Sequence, residues 1–440
     1  MARPQRRAIV LSGPFPTGEG PDPHSEKGVD VPTPPPLDVI TPFDGTPDEI
    51  ESLDELARHL ATGTLGGLTL QGLRLDPSAD LSTVEVAGAL FVGCRFPSVE
   101  AAAELVRRGA QVVPAFDGVP YPTHPARLYT PDDLAAGFAD GGFDSMYDTV
   151  VYAHYRAAGG AQPPVREALV QRLHDHAIDN ALADVTADWI TARGPAATVG
   201  IMGGHAMARG STTYRLAATL GWELARAGRL VITGGGPGVM EAANLGAYLS
   251  GHSRDALTEA IDALAAAPDF HDHDRYTGVA LQVRARFGTP SPTAEPKPQP
   301  EGAPRSAGGD AVGWARRGGL AIPTWLYGHE PANLFAARIA KYFSNAIREE
   351  TILRLARGGL VFAPGWAGTV QEIFQAATAT FYGLDGPSGP YVFLDTAYWT
   401  QRLPVRTLLG PLLAASPAGD LSGLIHLTDD VAEAAALLTS

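Results

Sequence analysis

The sequence has few features of secreted or membrane proteins. It contains one cysteine, Cys94, so no disulfide can form within the chain, which fits a reducing compartment. No apolar run approaches the roughly 20 residues that a membrane-spanning helix needs. The N-terminal stretch MARPQRRAIVLSGPFP carries basic residues, but its apolar part is too short for a signal peptide. We therefore expect a cytoplasmic protein with no membrane partner.

Basic residues are scarce relative to acidic ones. The 440 residues include 33 Lys and Arg against 48 Asp and Glu, which gives a net charge of -15. This charge repels nucleic acid at long range, so we expect no nucleic-acid polymer as a partner. A small phosphate ligand is still compatible, because a few backbone N–H groups and one arginine can hold it locally. The hydrophobic content of 45% is that of a globular protein, and the length favours two domains.

Proline is concentrated in two segments. Residues 1–36 are proline-rich and poor in large apolar side chains, which predicts a disordered N-terminal arm, and a second proline-rich stretch predicts an insertion at about residues 288–312. Between them, residues 37–160 predict a smaller α/β accessory domain, and residues 161–196 predict a helical connector. Residues 197–440 form a second, larger domain on this interpretation.

Apolar, β-branched stretches alternate with amphipathic ones from residue 197 onward. The predicted strands are 197–202, 229–233, 319–323, 358–363, 391–395 and 424–427, and the predicted helices are Ser211–Ala227, Val239–Leu249, Ala332–Arg357, Val370–Tyr382 and Asp430–Leu438. This alternation predicts an α/β, doubly wound (Rossmann-like) fold with a parallel sheet covered on both faces. Ligands of such folds bind at the carboxyl ends of the strands, near the point where the strand order reverses.

Small-residue loops follow several of these strands. The second strand leads into TGGGPG, residues 233–238, directly before a helix. Glycines let the backbone approach a ligand, and the helix N-terminus offers free N–H groups. The pattern is neither G-x-G-x-x-G nor a P-loop, and a tight turn explains it equally well when it is taken alone. The loop after the first strand, GGHAMARGS, adds His205 and Arg209 as candidate ligand contacts.

The fourth strand runs into a third loop of this type, PGWAGTVQE, residues 364–372. Thr369 and Glu372 fit a capping box, in which a hydroxyl and a carboxylate satisfy the first amides of a helix. The carboxyl ends of parallel strands share one edge, so these loops should gather there. One loop can cradle a phosphate, and another can place a carboxylate beside a sugar.

The stretches GGGPGVMEAANLGA and PGWAGTVQE together resemble the paired signature of the Lonely Guy (LOG) family of nucleoside 5′-monophosphate phosphoribohydrolases, to which bacterial nucleotide nucleosidases are related. The segment IPTWLYGHEPANLFAARIAKYFSNAIREE resembles the part between the two motifs. The resemblance covers residues 197–440, broken at 251–318. It implies hydrolysis of the N-glycosidic bond of nucleoside 5′-monophosphates to free base and ribose 5-phosphate, with no cofactor and no metal. It also implies a homo-oligomer, dimer or tetramer.

Residue by residue, the resemblance implies Glu372 and Arg348 as the catalytic pair. The substrate- and phosphate-binding positions that match the two motifs are Gly234, Gly235, Gly236, Gly238, Met240, Glu241, Asn244, Gly365, Gly368 and Thr369. Two positions depart from the family: Trp366 replaces a usual glycine, and Glu349 follows Arg348 where lysine is common. The carboxylate could stabilise a ribosyl cation, position water or hold ribose hydroxyls, and the arginine could hold phosphate, base or sugar.

Two other functions are compatible with the sequence. A non-catalytic nucleotide- or cofactor-binding sensor of the same fold could use the same loops. A metal phosphohydrolase could be built on His174-Asp175-His176 and on the HDHD run at 271–274. The first of these runs lies in an amphipathic helix whose His and Asp could face solvent, and further metal ligands on other helices are not evident. We expect Cys94, in a strand-like run, to lie in the core.

Overall fold

The computed structural model describes residues 48–76, 79–288 and 313–440. The predicted N-terminal arm, and all but the first residue of the predicted insertion at 288–312, lie outside the described residues. Within the described ranges, no helix combines the length and the apolar character needed to cross a membrane.

A small parallel sheet occupies the N-terminal part of the described chain. Its elements are β1 (Glu49–Ile50), α1 (Leu53–Leu60), β2 (Thr69–Gln71), β3 (Leu90–Cys94), α2 (Val99–Arg107) and β4 (Gln111–Pro114). The strands lie in the order β1-β2-β3-β4, and each neighbouring pair is parallel. Leucine, valine and phenylalanine side chains form a separate core, in which Cys94 is buried and its thiol pKa is raised by burial to about 12.

Four helices follow this sheet. They are α3 (Pro131–Ala135), α4 (Phe138–Gly141), α5 (Tyr147–Ala157) and the 29-residue α6 (Val165–Arg193). Tyr121, Tyr129 and Tyr155 of this region belong to the hydrophobic core that covers one face of the large sheet, together with Trp325. Residues 121–155 therefore pack with the large sheet, while the small core ends at Ala110.

The large sheet is doubly wound, as predicted. Its elements are β5 (Thr198–Met202), α7 (Thr212–Arg226), β6 (Leu230–Thr233), α8 (Val239–Tyr248), α9 (Arg254–Leu264), α10 (His273–Phe287), β7 (Leu320–Ala321), β8 (Arg338–Ile339), α11 (Asn345–Leu355), β9 (Leu360–Phe362), α12 (Ala367–Tyr382), β10 (Tyr391–Leu394), α13 (Val405–Ala414), β11 (Ile425–Thr428) and α14 (Val431–Thr439). The strand order is β11-β10-β9-β5-β6-β7-β8, with parallel pairing throughout. The order reverses between β5 and β9, so the switch point lies at the carboxyl ends of these two strands.

Both faces of this sheet are buried. Ile232 and Phe362 point into one hydrophobic cluster, and their neighbours Val231 and Val361 point into the other. Continuous apolar strands are expected when helices cover both faces of a parallel sheet.

One predicted helix is shorter than its sequence pattern indicates. The helix predicted over Ala332–Arg357 is observed only as α11, and the residues before it run extended along the sheet edge. Ala340 N donates to Ala321 O at 2.9 Å, and Tyr342 N donates to Pro323 O at 3.0 Å. Pairing with β7 and the residues that follow it therefore overrides the local helical pattern.

Candidate active site

Three loops meet at the carboxyl edge of the large sheet. The Gly204 amide, in the loop after β5, donates to the Pro364 carbonyl after β9 at 3.0 Å. The Val239 amide, at the start of α8, donates to the Gly204 carbonyl at 3.3 Å. The loops that follow β5, β6 and β9 are therefore in direct backbone contact at the switch point.

Glycine is required at two of these contacts. Gly238 has φ +69°, and a Cβ added there would lie 2.4 Å from the Gly204 carbonyl oxygen. A Cβ on Gly365 would lie 2.2 Å from the Thr369 hydroxyl oxygen. Gly238 thus allows a close approach to the Gly204 backbone, and Gly365 a close approach to the Thr369 side chain, that any larger residue would prevent.

The predicted capping box at Thr369 and Glu372 is wrong. The helix α12 begins at Ala367, and its N-cap residue, Trp366, makes no side-chain cap. Thr369 is consequently the third helical residue, buried against Gly365, and Glu372 lies in the second turn. The first turn of α12 has no capping side chain, so its amides and positive dipole end can serve an anion.

Glu372 and Arg348 face each other at this edge. Arg348 Nη1 lies 3.5 Å from Glu372 Oε1, and the two side chains are only 10% and 15% exposed. Burial raises the pKa of Glu372 to about 7; the guanidinium of Arg348 lowers it, and the carboxylate of Glu349 raises it further. The separation exceeds the 2.7–2.9 Å that is usual for charge-assisted hydrogen bonds. The buried Arg348 Nε has no hydrogen-bond partner among the described residues.

Helix α11 places Arg348 at the site, and Asp175 of α6 fixes where that helix begins. The Asp175 carboxylate accepts from Phe343 N at 2.8 Å and from Ser344 N at 2.9 Å. The expectation that His174 and Asp175 face solvent is wrong, because both are buried. Tyr129 pairs its hydroxyl with His174 Nε2 at 2.9 Å, which makes the pair part of the packing behind the site. No group of three or more potential metal ligands occurs within the described ranges.

The acidic residue after Arg348 has partners of its own. Gln371 donates to Glu349 Oε2 at 2.6 Å, and Asn345 donates to Oε1 at 2.8 Å. These hydrogen bonds hold the Glu349 carboxylate between α11 and α12, while Arg348 pairs with Glu372.

Arg209 and Glu241, both predicted to bind substrate, form a buried ion pair instead. Arg209 Nε and Nη2 contact the two Glu241 oxygens at 2.8 and 2.5 Å, and the hydroxyls of Tyr214 and Tyr276 each donate to Glu241 Oε2 at 2.9 Å. Both charged residues are at most 3% exposed. The structure therefore places this pair in the scaffold behind the loops.

Asn244 and Met240 also support the first glycine loop. The Asn244 side-chain oxygen accepts from Thr233 Oγ1 at 2.6 Å and from Asn333 Nδ2 at 2.8 Å, and the residue is fully buried. The Met240 sulfur lies 2.9 Å from the position of a Cβ on Gly234, so it packs directly beneath the glycines.

The indole of Trp366 does not fill the second glycine loop. The residue is 69% exposed, and the Arg402 guanidinium lies 5.3 Å from its ring centre. The Tyr398 hydroxyl donates a hydrogen bond to the Gly365 carbonyl, which helps to hold this loop in place. Gly368 is open, because an added Cβ would meet no atom within 4 Å.

Glu330 is a residue at the site that sequence reasoning missed. Its Oε1 lies 3.7 Å from His205 Nδ1, and its Oε2 lies 3.0 Å from the position of a Cβ on Gly236. Burial raises the pKa of Glu330, and the nearby side chains of His205, His329 and Arg348 lower it. The available signal was its place in the GHEP stretch, inside the segment that resembles the LOG family between its two motifs.

No curated protein matches the chain. The model of one family, SLOG cluster4, matches residues 196–253, which run from the start of β5 to just past α8. The matched segment contains the loops after β5 and β6, but neither Arg348 nor Glu372. The SLOG superfamily includes LOG-like proteins, so this part of the chain is similar to a nucleotide-related family.

Proposed function

We propose that the protein hydrolyses the N-glycosidic bond of nucleoside 5′-monophosphates and releases free base and ribose 5-phosphate. The pairing of the buried Glu372 with Arg348, at the point where the glycine loops converge, carries this proposal. The phosphate and the sugar of the substrate are bound by neighbouring elements at one edge of the sheet.

The 5′-phosphate is bound at the start of α12. Gly365 and the uncapped first turn present backbone amides and a positive dipole end, which favour an anion. The opposite glycine loop is less suited to a phosphate, because the Glu330 carboxyl group lies against Gly236. A second negative charge would be repelled there.

The ribose then lies over Glu372. Cleavage of an N-glycosidic bond passes through a ribosyl group with cationic character, and a carboxylate stabilises that charge most strongly where water is largely excluded. Arg348 keeps part of the Glu372 population ionised at neutral pH, because its guanidinium lowers the pKa that burial raises. Arg348 Nε, which has no hydrogen-bond partner in the described part of the chain, donates to the substrate.

Self-association is part of the same proposal. Phe374 and Tyr382 of α12 and Leu408 of the neighbouring α13 are exposed apolar side chains. Apolar patches of this kind often mark contacts between subunits. Sedimentation analysis should show a dimer or tetramer, and Phe374→Glu should shift it toward monomer. A monomeric wild-type protein would refute this part.

The test uses a panel of nucleoside monophosphates and an assay for ribose 5-phosphate. We expect turnover by the wild-type protein and by Glu350→Gln, which alters an exposed carboxyl on α11, but not by Glu372→Gln. Calorimetric binding of a nucleotide without turnover would favour a non-catalytic sensor. Chelator-sensitive release of inorganic phosphate would favour a metal phosphohydrolase.

A further inference from the structure

His205 lies in the loop after β5, at the point where the three loops meet. A Cβ on Gly238 would lie 2.7 Å from the His205 carbonyl oxygen, and the preceding residue, Gly204, is hydrogen-bonded to Pro364. The His205 backbone is therefore held between the loops after β6 and β9. Its imidazole is 57% exposed, so it is accessible to a ligand bound at these loops.

Glu330 faces one ring nitrogen of this imidazole. Nδ1 of His205 faces Glu330 Oε1 at 3.7 Å, and Nε2 is on the far side of the ring from that contact. The Glu330 side chain is only 14% exposed and rests against Gly236, so its carboxyl group has little freedom to move. With Nδ1 turned toward this carboxyl group, Nε2 is the ring nitrogen left to contact a ligand.

We propose that His205 is a catalytic residue that protonates the departing base, and that Glu330 is the positioning residue for its imidazole. This proposal rests on the proposed function and adds a second group to it. Glu372 comes from helix α12, after β9, and His205 from the loop after β5, so one can serve the ribosyl group while the other serves the base.

The reaction needs water as the nucleophile, His205 as the proton donor and Glu372 as the proton acceptor. The water oxygen bonds to C1′ while the bond from C1′ to the base nitrogen breaks, and its electron pair stays on the base. The Nε2 proton of His205 passes to the base, and a proton of the water passes to the Glu372 carboxylate. Exchange with solvent then restores both residues. Protonating the leaving group matters because an unprotonated base departs as a poorly stabilised anion.

The test compares two leaving groups on one phosphosugar. One substrate is the nucleoside monophosphate that the wild-type protein cleaves fastest, and the other is 4-nitrophenyl riboside 5-phosphate, whose nitrophenolate departs without protonation. We expect His205→Ala to lower kcat/KM for the nucleotide by about 100-fold or more, in the range of general acid catalysis, and to change the nitrophenyl reaction by less than about threefold. Glu330→Gln should show the same selectivity, although with a smaller loss.

Two control variants complete the comparison. Glu372→Gln should slow both substrates alike, because both need the ribosyl charge stabilised. His271→Ala, at an exposed histidine, should slow neither. Equal losses on the two substrates for His205→Ala, or no loss on the nucleotide, would overturn the role of His205 while leaving nucleotide hydrolysis standing. A wild-type protein that cleaves neither substrate would instead refute the proposed function, and this inference with it.

Discussion

Replacing Glu372 by glutamine should make the protein more stable at neutral pH relative to wild type. Burial raises the pKa of this carboxyl group from 4.5 to about 7, even though Arg348 lies 3.5 Å away. A folded state that binds a proton more tightly than the unfolded state loses stability as the pH rises between the two pKa values. Glutamine has no such ionisation, so the variant escapes this loss.

The magnitude follows from the size of the shift. A change from 4.5 to about 7 corresponds to about 3 kcal/mol in the free energy of unfolding, of which about 2.5 kcal/mol falls between pH 5 and pH 8. At low pH both side chains are neutral, so the effect of leaving Arg348 without a counter-charge is similar in the two proteins. The pH-dependent part of the difference therefore isolates the ionisation of one group.

Urea denaturation of both proteins at several pH values between 5 and 8 measures this difference. We expect the stability of Glu372→Gln relative to wild type to rise with pH, and Glu350→Gln, at an exposed carboxyl on the helix that carries Arg348, is the matched control. If the contact with Arg348 were a strong ion pair, the Glu372 pKa would be depressed and the glutamine variant would lose relative stability as the pH rises. A flat or falling difference would therefore refute the reasoning.

Further predictions concern the same edge of the sheet. kcat/KM for the preferred nucleotide should rise from pH 5 to about pH 8, since the ionised form of Glu372, whose pKa is raised to about 7, is the active one; a profile measured with Glu372 intact but without this acidic limb would contradict it. Arg348→Ala should move that limb to higher pH, because the guanidinium that lowers the pKa is gone. Glu241→Gln should cost about 3–5 kcal/mol in urea denaturation, since Arg209 is left as an uncompensated buried charge. Asp175→Ala should cost about 1–3 kcal/mol and also lower kcat/KM, because the start of the helix that carries the arginine loses two hydrogen bonds; an unchanged midpoint would speak against this anchoring role.

Most of the large sheet could be predicted because its signals are local. A strand such as Leu230–Thr233 is a short apolar run that ends at a glycine cluster, and it pairs in register with neighbours of the same kind. The segment before α11 could not be predicted in this way. Its helical spacing is genuine, but its amides pair with Gly319, Ala321 and Tyr129, and the last of these lies about 200 residues earlier in the chain.

The residues of the site divide in the same way: sequence patterns predict some of them, and only the fold reveals the contacts of the others. Glycine-rich motifs identified the loops, and the resemblance to the LOG family brought Glu372 and Arg348 forward. The Thr-x-x-Glu pattern, however, also fits a helix that starts two residues before Thr369. The partners of Glu241 could not be foreseen, because Tyr276 follows it by 35 residues with no pattern that links them. Glu330 was missed because a lone carboxylate in a loop gives no signal until the fold places it beside His205.

Two buried glutamates in helices that flank the large sheet, Glu241 and Glu372, have different environments. Glu241 and Glu372 both lie in a helix that follows a glycine loop, and both are largely removed from water. Glu241 accepts four hydrogen bonds from Arg209, Tyr214 and Tyr276, so its burial is compensated. Among the described residues Glu372 has an ion pair with Arg348 alone, at 3.5 Å, and its pKa rises to about 7. Folding alone would favour a neutral side chain at this second position, so a carboxyl group there fits the proposed role of Glu372 beside a developing positive charge.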